Sequence, residues 1–134
     1  MLVNIRPSVQ FPNNGLIPPQ SLTGAAATTG GTYLQVSPAT KWIHLRLSCG
    51  AGAGSVAITA AQATSSAGAN TKALTLTPAI TGILTASGVT VYDFNVDQTL
   101  DIANGFSFVQ FTATVTGTLI VGLDVSFGPQ TYEA

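Results

Sequence analysis

The stretch "FSFVQFTATVTGTLIVGLDVSF", residues 106–127, decides the fold class. Up to Thr116, the apolar Val109, Phe111, Ala113 and Val115 alternate with Gln110, Thr112 and Thr114. Beyond Gly117, Leu119, Val121, Leu123, Val125 and Phe127 alternate with Ile120, Gly122, Asp124 and Ser126. A period of two places each apolar set on one face of a pleated strand. Two consecutive strands joined at Thr116-Gly117 follow.

The same alternation extends toward the N-terminus. "SGVTVYDFNVD" (87–97) is rich in residues that suit a pleated surface. In "KWIHLRLSC" (41–49), Ile43, Leu45 and Leu47 alternate with Trp42, His44 and Arg46. "TYLQV" (32–36), "SVAITAAQAT" (55–64) and "TKALTLT" (71–77, stopped by Pro78) complete the series, with an edge strand expected around Leu2–Ile5. About eight strands at spacings near 10 residues, punctuated by Gly, Ser and Asn, predict an all-β, antiparallel, jelly-roll-like β-sandwich. The nine residues Ile43, Leu45, Leu47, Val109, Phe111, Val115, Val121, Leu123 and Val125 are its expected core. The Ala-rich segments carry Thr and Gly and lack apolar spacing of 3.6, so no helix is expected there.

The first 30 residues read as an extended N-terminal arm and connector, and 31–134 as the sandwich domain. Pro7, Pro12, Pro18 and Pro19 interrupt the arm, and Asn13-Asn14-Gly15 marks a turn. Its apolar side chains, Ile5, Phe11, Leu16 and Ile17 among them, are too many for a solvated tail; they should lie on this domain or a neighbour, and packing on an adjacent subunit or the capsid shell is expected.

A chain of 134 residues makes one domain. Its charged fraction is 7%, against about 25% in ordinary soluble domains. With a net charge of −1 there is little repulsion to keep copies apart, so much of the surface is expected to meet protein. Four Lys and Arg residues are too few for a duplex, which excludes nucleic acid as a main partner. No apolar run approaches the length of a membrane span, and no signal peptide is expected. The single Cys49 makes no internal disulfide and reads as a buried, inert thiol.

Candidate chemistry is sparse. "GAGAGS" (50–55) lacks the third glycine and the downstream acid of a dinucleotide site, and reads as a plain hairpin turn. His44 is the only histidine and no G-x-S-x-G elbow occurs, which argues against a hydrolase triad; one His and one Cys argue against zinc. Asp93, Asp97 and Asp101 recur every four residues, but on a strand Asp93 and Asp97 lie about 13 Å apart, too far to share a calcium ion. No enzymatic activity, catalytic residue, metal or cofactor is expected. Trp42, His44 and Arg46, opposite the aliphatic row, join Ile5, Phe11, Leu16 and Ile17 as candidate interface residues, because Trp and Arg are enriched at interface centres.

Two further segments carry a family resemblance. Gln62 to Thr75 reads Q-A-T-x-x-A-G-x-x-x-K-A-L-T, and Leu100 to Val109 reads L-D-x-A-N-G-F-x-x-V. Over residues 55–127 the sequence resembles small head-stabilising proteins of tailed double-stranded DNA bacteriophages. The resemblance implies a virion protein made in the host cytoplasm that decorates or cements the capsid surface. Its implied partners are the major capsid protein and itself, often as a homotrimer. The low charge departs from that pattern. The rival reading is a receptor- or carbohydrate-binding β-module of a phage fibre or adhesin, for which Trp42 and Tyr33 are the candidate aromatics.

Overall fold

The computed structural model describes residues 16–29, 32–38, 40–77, 79–84 and 88–129. The expected edge strand at Leu2–Ile5 and the candidates Ile5 and Phe11 lie outside them. Among the described residues, ten strands form two antiparallel sheets. The first sheet runs in the order β1 (Leu16–Thr23), β10 (Thr118–Pro129), β4 (Thr40–Gly52), β8 (Val89–Asn95). The second runs β2 (Ala26–Thr28), β9 (Phe108–Thr116), β5 (Ser55–Ala63), β6 (Lys72–Leu74). The short β3 (Leu34–Gln35) shares the β2 edge of β9, and β7 (Ile80–Leu84) shares the β6 edge of β5. One helical turn, α1 (Val96–Thr99), and a 3₁₀ turn at Ile102–Asn104 follow β8.

Counting β2 with β3 and β6 with β7 as single positions, the sheet orders become first-last-third-sixth and second-seventh-fourth-fifth. This is the order obtained when one long antiparallel hairpin is wrapped around itself, the double Greek key of a jelly roll. Seven of the expected strands fall on these eight positions, two of which are broken in the chain; the eighth position is β1, and the strand expected at Leu2–Ile5 lies outside the described residues. Strands β1, β2 and β7 escaped the sequence reading because their composition is not strand-like: Pro18 and Pro19 in β1, Ala-Ala-Thr in β2 and Gly82 in β7. The sandwich thus begins at Leu16, inside the segment read as arm and connector.

The nine expected core residues are all buried between the sheets, together with Ile17, Ile58, Ile80, Phe94, Ala113 and Leu119. Thr29 is buried with its hydroxyl accepting from the Phe111 N–H at 3.1 Å, and no buried side-chain polar atom among the described residues lacks a partner. Cys49 is half-buried against the core rather than fully enclosed, and burial pushes its thiol pKa up. A raised pKa keeps the thiol protonated and a poor nucleophile.

Neither tight turn is a hairpin. β4 and β5 belong to different sheets, as do β9 and β10, so residues 53–54 and Gly117 are corners where the chain crosses from sheet to sheet. The two corners lie against each other: a Cβ on Gly117 would meet Gly54 Cα at 3.1 Å, and a Cβ on Gly54 would overlap the Thr116 carbonyl oxygen. Gly117 also holds a left-handed φ of 81°. The glycine spacing in "GAGAGS" thus serves backbone-to-backbone contact.

Candidate functional site

Alternation along β4 places Trp42, His44 and Arg46 on the outer face of the first sheet, all half-buried, while Ile43, Leu45 and Leu47 point inward. Register brings partners to each. His44 lies opposite Asp93 of β8, and its Nδ1 donates to Asp93 Oδ1 at 2.5 Å. The imidazole rests across Gly128 of β10, where a Cβ would overlap Nε2. Arg46 lies opposite Asp124 of β10, which accepts from Nε at 3.0 Å and from a terminal guanidinium nitrogen. Leu16 of β1 pairs with Asp124 and joins the same face.

Ile17 does not join it. One residue further along β1, paired with Leu123, it points inward and is 0% exposed. The expectation of an interface role for Ile17 is corrected accordingly: its side chain belongs to this domain's own core, because a one-residue step along a strand changes the face. The structure thus gathers Leu16, Trp42, His44 and Arg46. It adds residues that sequence reasoning did not single out, namely Val89 (65% exposed) and Val91 (54%) on the outer face of β8, and Ile120 (40%) beside Gly50. The outward positions of Asp124 and Ile120 were legible in the alternation of 118–127; their neighbours, set by pairing across the sheet, were not.

Every described acid has a basic or histidine partner. Asp93 takes His44, Asp124 takes Arg46, Asp97 faces Lys41 at 3.9 Å, and Asp101 accepts from Lys72 at 2.5 Å. The three aspartates that recur every four residues therefore diverge to three different bases. Local pairing leaves little uncompensated field over the surface, which disfavours a strongly charged partner.

The segments 62–75 and 100–109 meet in space. Gln62 Oε1 accepts from the Asp101 N–H at 2.9 Å, while its amide donates to the Ala73 carbonyl at 3.2 Å. Lys72 Nζ lies 4.1 Å from the Phe106 ring centre as it donates to Asp101, and Asn104 Nδ2 donates to the same carboxylate at 3.0 Å. Gly105 closes the turn with a φ of 84°. Hydrogen bonds from Lys72 and Asn104 hold the Asp101 carboxyl below its ordinary value. These residues staple the loop after α1 onto the edge of the second sheet.

At the other end of the outer face, Trp42 borders a groove of about 460 Å³, lined also by Thr75, Thr77, Asp93, Asn95 and Thr99. Tyr33 lies elsewhere, over Gly68.

No protein-family model matches the chain, and no curated protein matches it in sequence. Among solved structures, one of infectious bursal disease virus, Gx strain, is similar with a TM-score of 0.45 and 12% identity, covering 96% of this chain and 34% of the other. A structure of the Gt strain of that virus gives a TM-score of 0.34 and 10% identity over 98% of this chain and 38% of the other. The chain spans about a third of the length of these viral chains. No described helix is long and apolar enough to cross a membrane.

Proposed function

We propose that this chain is a non-enzymatic structural protein of a virus particle, a capsid decoration or cement protein of a tailed phage. It acts through protein–protein contacts with the major capsid protein and with other copies of itself. The observation that carries the reading is the outer face of the first sheet. There Val89, Val91 and Ile120 stand exposed beside the Arg46–Asp124 ion pair and the His44–Asp93 hydrogen bond, both made within the chain. Desolvating such a face removes apolar surface from water without stranding a charge. The jelly-roll order and the resemblance of residues 55–127 to head-stabilising proteins support it further.

Self-association as a trimer belongs to the same reading. Two contacts of about 800 Å² each would take roughly a fifth of the 7529 Å² surface. The deciding experiment incubates the purified chain with phage heads lacking their decoration protein, pellets the heads and measures their resistance to heat. Co-sedimentation with a raised disruption temperature is expected, together with a trimer in analytical ultracentrifugation. A monomer that neither pellets with heads nor protects them overturns the proposal.

A further inference from the structure

The groove beside Trp42 has a chemistry that the cement reading does not use. Its lining combines one indole, one carboxylate, one amide and three threonine hydroxyls, with Phe94 as its buried floor. Register explains the assembly: Trp42 lies opposite Asn95 on the outer face, Asp93 is the next outward residue of β8, and Thr75 and Thr77 arrive from the segment between β6 and β7. The volume falls within the range of small-molecule sites, about 300–1,000 Å³.

Hydrogen-bonding capacity remains at this rim. Asp93 commits Oδ1 to His44, so Oδ2 faces no other described donor. Asn95 commits Oδ1 to the Asp97 N–H and keeps its NH₂. Thr99 donates to the Asn95 carbonyl and retains acceptor capacity. Thr75 and Thr77 are exposed and carry hydroxyls that both donate and accept. Among the described residues no Lys or Arg lines the groove; the nearby Lys41 faces Asp97.

We propose that this groove binds one neutral pyranose unit of a glycan, its C–H face stacked on Trp42 and its hydroxyls held by Asp93, Asn95, Thr75 and Thr77. The negative face of an indole attracts the weakly positive C–H groups of a sugar ring. Neighbouring ring hydroxyls need donors and acceptors side by side, which a carboxylate, an amide and threonines supply. A nucleotide would also stack, but its phosphate would meet Asp93 with no cation among the described lining residues. An apolar peptide side chain would find no aliphatic wall. The groove lies at one end of the outer face, away from Val89 and Ile120, so glycan binding and cementing are separable.

Trp42 is the only tryptophan, so its fluorescence reports the site directly. The purified chain is titrated with methyl glycosides of glucose, galactose and N-acetylglucosamine, with mannitol as an open-chain control and glucose 1-phosphate as an anionic one. At least one glycoside is expected to give a saturable change in emission, mannitol none, and the phosphate at least about tenfold weaker binding, or about 1.4 kcal/mol. Thr75→Val and Thr77→Val, exposed and isosteric, should leave circular dichroism unchanged, and at least one should weaken the glycoside about tenfold. The proposal is overturned by linear responses to every glycoside up to about 0.1 M, far beyond the millimolar range. An equal response to mannitol, or unchanged binding in both threonine variants, overturns it as well. None of these readouts depends on phage heads, so failure here leaves the cement proposal standing.

Discussion

Phe111 shows how much one position carries. Its ring is fully buried at the centre of β9, and its N–H reaches across to Thr29. Phe111→Ala should cost about 3–5 kcal/mol through lost transfer energy and the cavity left behind, read as a fall in the urea midpoint with the slope retained. Asp101 makes a different prediction. Its folded-state pKa is lowered, so the stabilisation it brings is present above its unfolded value, near 3.8, and is lost as pH falls through the folded one. Asp101→Asn should therefore be less stable than the parent at neutral pH, with the gap closing below about pH 4. Urea midpoints measured at both pH values check this; a gap that stays constant in acid would mean the carboxylate charge is irrelevant.

Among the elements, β1 and β8 are the two edges of the first sheet, and each makes a prediction. Removing residues 1–14 leaves β1 whole. Removing residues 1–20 takes Ile17 and half of β1 from β10, so the midpoint should fall sharply; loss of a buried Ile alone is worth about 2–5 kcal/mol. Equal stability of the two truncations would show that β1 contributes nothing to the core. On β8, Val91 is exposed, and Val91→Glu should alter folding stability by no more than about 0.5 kcal/mol. Attachment to heads should nonetheless weaken, because the new carboxylate must be desolvated at the contact. Unchanged head binding by Val91→Glu would move the contact elsewhere on the surface.

For the molecule as a whole, internal charge pairing bears on the proposed attachment to heads. Since three of the four described aspartates pair with Lys or Arg and the net charge is only −1, long-range steering contributes little. Head attachment should therefore change by less than about tenfold between 0.05 and 0.5 M salt, a range over which the Debye length shortens from beyond 10 Å to a few Å. Sedimentation of heads with bound protein across that range tests it, and a steep loss of binding with salt would point to charge-led docking.

Strand alternation alone determined the all-β class, the nine core positions and the outward row of Trp42, His44 and Arg46, because side-chain direction along a strand is fixed locally by the pleat. The family-like segments 62–75 and 100–109 were visible as patterns, but not as a single staple, since Gln62 and Asp101 meet across 39 residues. Only the tertiary structure placed β1 and β2 in the sandwich, where proline- and alanine-rich segments pair because β10 and β9 offer them open edges. It alone turned the apparent hairpin at 50–55 and the join at Thr116-Gly117 into crossings between sheets and drew Ile17 into the core. It also brought Trp42, Asp93, Asn95, Thr75 and Thr77 around one groove. Those outcomes depend on which strands become neighbours, a choice made by burying both apolar faces at once, and no local stretch of sequence encodes it.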